Sequence, residues 1–167
     1  MAGYIPVSAV ILAKNEAGRI RDCIESARWA DEVLVIDDES TDDTARIAES
    51  MGARVLRRKM DVEGRHRNWA HAQAAHEWIL SLDADERVTP ELAAEIAELF
   101  RQEPAYQLYA TPRRNYIGAH WIRYGGWYPS AQLKLFKKSI FRWEETTVHP
   151  RAISESPSGE LRHDLVH

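Results

Sequence analysis

The chain has a single cysteine, Cys23, in 167 residues. One thiol excludes an internal disulfide and a cysteine-built zinc site. Cys23 falls on the apolar face of a predicted helix, which makes it a packing residue. No apolar run approaches the ~18 residues of a transmembrane helix, and the N-terminus has no apolar signal-peptide core. These two absences predict a cytoplasmic protein. Among the eight glycines there is no Gly-x-Gly-x-x-Gly and no Gly-x-x-x-x-Gly-Lys pattern. A dinucleotide loop or P-loop is therefore excluded, and any phosphate charge must be met by a cation and basic side chains. The net charge of -4 leaves no basic footprint for nucleic acid. Internal repeats and low-complexity tracts are also missing.

What remains is ordinary for a globular chain: 44% hydrophobic and 29% charged residues. The length suits one domain with a real core. Residues 7–13 (Val-Ser-Ala-Val-Ile-Leu-Ala) form a β-rich apolar run, followed by Lys14-Asn15-Glu16. Ile20, Cys23, Ile24 and Ala27 then recur at helical spacing. A second buried strand, 32–36, ends in Asp37-Asp38-Glu39. Ser40-Thr41 are expected to cap the next helix, whose apolar face is Thr44, Ile47, Ala48 and Met51, with Gly52 closing it. A third strand covers 53–56. Residues 57–67 read as a basic loop and 68–77 as an alanine-rich helix, which places His66, His71 and His76 on a helix surface or in loops.

The apolar run Trp78-Ile79-Leu80-Ser81-Leu82 suits a strand buried on both faces, and it ends in Asp83-Ala84-Asp85-Glu86. In extended geometry Asp83 and Asp85 project to the same side. Glu86 reads as a solvated helper. Thr89-Pro90-Glu91 supplies a cap, a first-turn proline and a first-turn acid for a helix carrying Leu92, Ile96 and Leu99. Alternating strands and helices over 7–100 predict a parallel, doubly wound sheet. After Pro104 strand-like pieces follow at 106–110, 121–124 and 132–136. The expected division is 1–104 as an α/β half and 105–167 as a second half of one domain. The final Arg162–His167 reads like the start of a further element, so a truncated C-terminus is expected.

Three predicted strands end in polar, mostly acidic residues. In open α/β sheets ligands bind beyond the carboxyl ends of strands, and paired acids there suit a divalent cation. The segments Val10–Glu16, Val35–Thr44 and Leu82–Glu86 together resemble the family 2 glycosyltransferases of the GT-A fold. The likeness runs over roughly residues 5–150. Gly118–Pro129, Leu133–Lys138 and Val148-His149 are similar to the lipopolysaccharide core glucosyltransferase subgroup. Ser130 stands where that subgroup often has an acid.

The resemblance implies an α/β, Rossmann-like and mostly parallel sheet with helices on both faces, plus a small mixed acceptor-side β region. It implies an inverting enzyme that moves a sugar, glucose in that subgroup, from a UDP-linked donor to a glycan or glycolipid acceptor such as lipopolysaccharide core. Leu12, Ala13, Lys14, Asn15 and Glu16 would line the nucleotide pocket with Ala84. Asp38 would accept from uracil, with Asp37 beside it, and Arg67 would lie near the base or diphosphate. Asp83 would face ribose and metal, and Asp85 would bind Mg²⁺ or Mn²⁺ directly. A C-terminal histidine, His149 or His167, would complete the metal set. Gly125, Gly126, Trp127 and Tyr128 would form the acceptor side. Glu145, then Glu144, would be the catalytic base. The basic runs Arg54, Arg57, Arg58, Lys59 and Lys134, Lys137, Lys138 could meet diphosphate or an anionic membrane at the inner face of the cell. The competing readings are a sugar nucleotidyltransferase, which would want a glycine-rich basic loop after the first strand, and a nucleotide-sugar-binding remnant without catalysis.

Overall fold

The computed structural model describes residues 4–167. In chain order its elements begin β1 (Val7–Ala13), α1 (Ile20–Ser26), β2 (Glu32–Asp37), α2 (Thr44–Ser50), β3 (Arg54–Arg57), α3 (Glu63–Ala72) and β4 (Trp78–Asp83). They continue with β5 (Arg87–Val88), α4 (Pro90–Leu99), β6 (Leu108–Thr111), β7 (Arg113–Arg114), β8 (Tyr116–Ile117) and β9 (His120–Trp121). The last five are β10 (Gln132–Lys137), β11 (Arg142–Trp143), β12 (Ala152–Ile153), β13 (Gly159–Glu160) and β14 (Leu165–Val166).

Seven strands make the main sheet, in the order β13-β6-β10-β4-β1-β2-β3. β1 pairs in parallel with both β2 and β4, and β2 with β3, while β10 runs antiparallel between β4 and β6. The parallel strands are apolar throughout because both faces are covered. On one face α1, α2 and α4 pack Ile20, Cys23, Ile24, Ala48, Leu92 and Ile96 against Ile11, Leu80 and Leu82. On the other, α3 brings Ala70 against Val10, Ile79, Phe136 and Phe141. Each fully buried Ile or Leu contributes about 1.5–3 kcal/mol, so the sheet is the rigid platform for everything at its edge. A separate small sheet, β5-β14-β7, ties the late chain to the segment after β4.

Several local expectations hold. α4 begins as its sequence predicts, with Thr89 Oγ1 accepting from the Leu92 N–H at 3.2 Å and Pro90 in the first turn. Gly52 closes α2 at φ 83, a conformation that glycine adopts without steric cost. Cys23 is fully buried, and burial pushes its thiol well above the ordinary range.

Others are corrected. Asp43, not Ser40 or Thr41, precedes α2 and makes no side-chain cap, while Asp42 Oδ1 accepts from the Thr44 N–H at 3.0 Å. Ser40 and Thr41 instead grip Asn15: Ser40 Oγ accepts from the Asn15 N–H at 2.9 Å, and the Thr41 N–H donates to Asn15 Oδ1 at 2.8 Å. α3 starts five residues before its predicted start and ends at Ala72, so 73–77 is turn rather than helix. Its inward face is Gly64, His66, Ala70 and His71, so two of the three histidines read as surface residues are buried. β3 and β6 each lie a residue or two downstream of the predicted strands, and of 121–124 only Trp121 is in a strand. Among the described residues no helix is long and apolar enough to cross a membrane.

Candidate active site

Strand register brings the polar ends together. Leu12 lies beside Asp83, and Ala13 beside Asp37. Past the last pairs, the Asp38 N–H donates to the Ala13 carbonyl at 2.9 Å and the Ala84 N–H to the Leu12 carbonyl at 3.0 Å. Three segments far apart in sequence thus converge at one sheet edge.

A cleft of about 210 Å³ opens there, lined by Leu12, Ala13, Lys14, Asp38, Arg67 and Asp83, with Met60, Glu63 and His66 closing it. Asp38 is almost fully buried. Its Oδ1 accepts from the Met60 N–H at 2.8 Å and its Oδ2 pairs with Lys14 Nζ at 3.1 Å. Burial raises its carboxyl, but the Met60 N–H and Lys14 outweigh that and hold it below the ordinary range. Asp37 is fully buried behind it, accepting from the Ser40 N–H at 3.1 Å. Asn15 and Glu16 do not line this cleft. They brace its wall, Asn15 through Ser40 and Thr41, and Glu16 through its N–H to Thr44 Oγ1 at 2.8 Å. Ala84 lines a neighbouring hollow with Asp85 and Arg19.

Asp83 stands between two cations. Arg67 Nη2 is 3.1 Å from Oδ1 and Lys134 Nζ 3.7 Å from Oδ2. Burial pushes its carboxyl up, yet Lys134 and Arg67 together keep it below the ordinary range. Glu86 is the anchor of this group and corrects the solvated reading. It is fully buried, with Oε2 accepting from the Asp83 N–H at 2.9 Å and from Lys134 Nζ at 2.7 Å, and with Arg113 3.5 Å from Oε1. A buried acid with paired cations is stable only as a complete set. Asp83 and Arg67 are shared with a wider cleft of about 520 Å³ that also takes in Arg113, Lys134, Trp143 and His149. Arg113 Nε and Trp143 Nε1 are buried there with no partner among the described residues.

Asp85 points elsewhere. Its Oδ2 is 3.2 Å from His167 Nε2 and 3.7 Å from Arg19 Nη1. His167 is steered by Asn115 Oδ1, 3.2 Å from its Nδ1, which resembles the second-shell orientation of a metal-binding imidazole. Ligands about 2.1 Å from an octahedral ion stand roughly 3 Å apart, so Asp85 and His167 already have the spacing of two adjacent ligands. The carboxylate oxygens suit Mn²⁺ or Mg²⁺, and an imidazole nitrogen beside them favours the softer Mn²⁺ of the two. Among the described residues no group of three such side chains stands assembled. The structure sets His167 against Asp85, and His149 (φ 51) in the wider cleft with Asp83.

The two late glutamates lie along α3. Gly64 makes this possible: a Cβ there would fall 1.8 Å from the Glu144 carbonyl oxygen. The Gly64 N–H donates to the Thr146 carbonyl at 3.2 Å. Glu144 is half-buried, and Glu145 is exposed with Oε2 3.3 Å from Arg65 Nε. Neither lines the two clefts described above. On the acceptor-side loop, Gly125 and Gly126 take φ 70 and φ 79. An added Cβ would meet only ordinary contact or open space, so glycine is needed there for backbone conformation rather than for room. Tyr128 donates to Asp164 Oδ1 at 2.9 Å, and the Trp127 carbonyl accepts from Asn115 Nδ2 at 3.2 Å.

Sequence reasoning missed Lys134 as a partner of Asp83, and it missed Glu63, His66, Met60 and Arg113 as wall residues. Only the i,i+4 spacing of Glu63 and Arg67, which pair at 3.0 Å, carried a local signal.

Comparison with known proteins identifies the family and the fold. The family model described as glycosyl transferase family 2 matches residues 8–154. An uncharacterized glycosyltransferase of Rickettsia felis is 43% identical over 95 residues, covering 56% of this chain and 34% of that protein. The chain therefore spans about a third of the length of that relative. The lipopolysaccharide core biosynthesis glycosyltransferase LpsC of Rhizobium meliloti is 25% identical over 168 residues, covering 97% of this chain and 62% of LpsC. S. aureus TarS 1-349, solved with UDP-GlcNAc, superposes with TM-score 0.65 at 17% identity, covering 94% of this chain and 59% of that one. Glucosyl-3-phosphoglycerate synthase from Mycobacterium tuberculosis, solved with Mn²⁺, UDP and glucosyl-3-phosphoglycerate, gives 0.55 at 24% identity, covering 65% and 44%. The fold is that of the GT-A enzymes.

Proposed function

The chain belongs to glycosyltransferase family 2, and from that premise we propose that it transfers a sugar, with inversion, from a UDP-linked donor to a glycan or glycolipid acceptor. The observation that carries this is the convergence of Asp38, Lys14, Arg67 and Asp83 in one cleft at three strand ends, with Asp85 and His167 at the adjoining edge. Solved structures of this fold hold UDP, UDP-GlcNAc and Mn²⁺. LpsC, named for lipopolysaccharide core biosynthesis, supports a core-oligosaccharide acceptor as the specific version of the reading, and glucose as the sugar rests on the subgroup resemblance alone.

In this reading Asp38 accepts from the uracil ring and Lys14 swings from Asp38 toward the phosphates. Arg67 and Lys134 offset the charge that grows on the diphosphate. A divalent ion held by Asp85, Asp83 and a histidine would supply Lewis-acid stabilisation of that leaving group. His167 is the nearer histidine to Asp85, and His149 the nearer to Asp83. The sugar would lie in the wider cleft bordered by Arg113, Lys134 and Trp143. Glu145, or Glu144 next to it, takes the acceptor proton, a role worth 10²–10⁴-fold. Glu145 must leave Arg65 to do so, and transfer rates of Glu145→Gln and Glu144→Gln assign the base.

Thermal melting tests the core of the proposal. UDP with Mn²⁺ raises the melting temperature above UDP alone, and Asp85→Ala removes the metal-dependent part. If no nucleoside diphosphate shifts melting with metal present, the reading fails.

A further inference from the structure

Charge and aromatics are segregated along this chain. From Pro104 to Trp143 there is no Asp or Glu, although the chain as a whole is net -4. The same stretch holds most of the Trp, Tyr and Phe. Among the described residues, four of the nine exposed large apolar side chains fall within twelve residues of it: Tyr116, Ile117 (67% exposed), Tyr124 (84%) and Trp127 (51%). They sit on one lobe. The β8–β9 hairpin is bonded to the following loop by the Ile122 N–H to the Asn115 carbonyl at 3.0 Å and by Asn115 to the Trp127 carbonyl.

Most of the cations that sequence suggests for a lipid surface are engaged within the chain, Lys59 and the largely exposed Arg57 excepted. Lys134 is buried on Glu86, Lys137 lies over Trp78 and Lys138 donates to the Ala74 carbonyl. Arg54 pairs with Glu32, and Arg58 with Asp61 and His66. On the lobe the cations differ. Arg113 and Arg114 have acid partners in Glu86 and Asp164, whereas Arg123 and the neighbouring Arg87 have none among the described residues. Arg123 is stacked 4.1 Å from the Trp121 ring, which fixes a guanidinium beside the exposed rings. Arg87 lines a cleft of about 730 Å³ with Tyr116, Gly118 and Asp85. Asp85 is the one acid on that cleft, and Arg19 and His167 stand against it.

We propose that this lobe is the face by which the protein lies on an anionic lipid surface, with Ile117, Tyr124 and Trp127 entering the headgroup layer and Arg87 and Arg123 meeting the headgroup phosphates. Trp and Tyr favour the membrane interface because their rings are apolar with a polar edge. Unpaired arginines beside them add attraction to anionic lipid. A second copy of the chain is a poor occupant, since a two-fold contact would bring the same unpaired arginines face to face. The consequence is that the 730 Å³ cleft beside Asp85 opens at the bilayer, within reach of a lipid-borne acceptor.

Vesicle co-sedimentation without nucleotide tests this independently of sugar transfer, so its failure would leave the reading of the nucleotide cleft standing. Binding to phosphatidylcholine vesicles carrying phosphatidylglycerol should exceed binding to pure phosphatidylcholine by about tenfold. Ile117→Ser/Tyr124→Ser/Trp127→Ser should lose about tenfold or more, and Arg87→Gln/Arg123→Gln should abolish the preference for anionic lipid. Brominated lipid should quench the tryptophan fluorescence of the unaltered protein, and Trp127→Phe should remove most of that quenching. The proposal is overturned if the unaltered protein ignores anionic vesicles or if the triple variant binds them equally. It is equally overturned if the patch instead drives a dimer in sedimentation that the triple variant breaks while vesicles go unbound.

Discussion

At the ends of β1, β2 and β4 the carboxylates of Asp37, Asp38, Asp83 and Glu86 are held by a named cation or backbone N–H. Over residues 113–130 the arrangement is the reverse: Tyr116, Tyr124 and Trp127 are exposed, the turns are glycines at positive φ, and Arg123, like the neighbouring Arg87, has no acid partner among the described residues. The first region fixes atoms to within hydrogen-bond tolerance because a buried charge out of place is costly. The second exposes surface whose removal leaves no buried group unsatisfied. Substitutions should therefore act on folding at the strand ends and on association at the lobe.

The largest effect should come from Glu86→Ala. It leaves Lys134 as a buried cation without its 2.7 Å partner and frees the Asp83 N–H. Losing one member of such a set costs about 3–5 kcal/mol, measurable by urea unfolding. Glu86→Ala/Lys134→Met should recover much of the loss, since the charge left alone is removed with its partner. A loss under about 1 kcal/mol would return Glu86 to the role of a solvated side chain.

Glu86 also shows why the site was only partly legible in sequence. The partners that bury it, Arg113 and Lys134, lie 27 and 48 residues away, and no local pattern announces them. The strands β1, β2 and β4 were readable because burial on both faces demands continuous apolar runs. α1 and α4 were readable from three-and-four spacing and from the Thr89 cap. α3 was misplaced because its inward face is Gly64, His66, Ala70 and His71, which carries little apolar signal. Gly64 is there to admit the Glu144 backbone, a contact across 80 residues. The two-residue strands β7, β13 and β14 depend on distant partners in the same way. Asp38, Asp83, Lys14 and Arg67 were assigned to one pocket from the resemblance, and they do line one cleft. His149 and His167 could not be ranked from spacing, because their separation from Asp85 is set by the path of β14.

An intermediate effect should appear with pH. His71 is buried on α3, 3.1 Å from Ser81 Oγ and edge-on to Phe136. Burial, with Arg67 and Lys134 nearby, pushes its imidazole down to about 3. An unfolded imidazole takes its proton near 6.5. Stability from this group is therefore fully present above about pH 6.5 and falls as pH drops toward 3, by up to about 1.4 kcal/mol per pH unit. Asp83, held below the ordinary carboxylate range, adds a further loss below about pH 4. His71→Gln should flatten the decline between pH 6.5 and 4.5 in chemical unfolding, leaving the shallower contribution of His66, which burial and Arg58 also push down. An unchanged slope would mean that the strand ends are not closed to protons as described.

The smallest effect should belong to the lobe. Tyr124 is 84% exposed and Ile117 67%, and neither side chain has a hydrogen-bond role among the described residues. Surface changes of this kind usually stay within about 0.5 kcal/mol, so Tyr124→Ser and Ile117→Ser should unfold in urea almost where the unaltered protein does. This near-zero result is what lets vesicle binding be read as association rather than misfolding. A loss above about 2 kcal/mol from either substitution would mean that the side chain is packed in solution, and the contrast between a paired, buried site and an open, adaptable lobe would not hold.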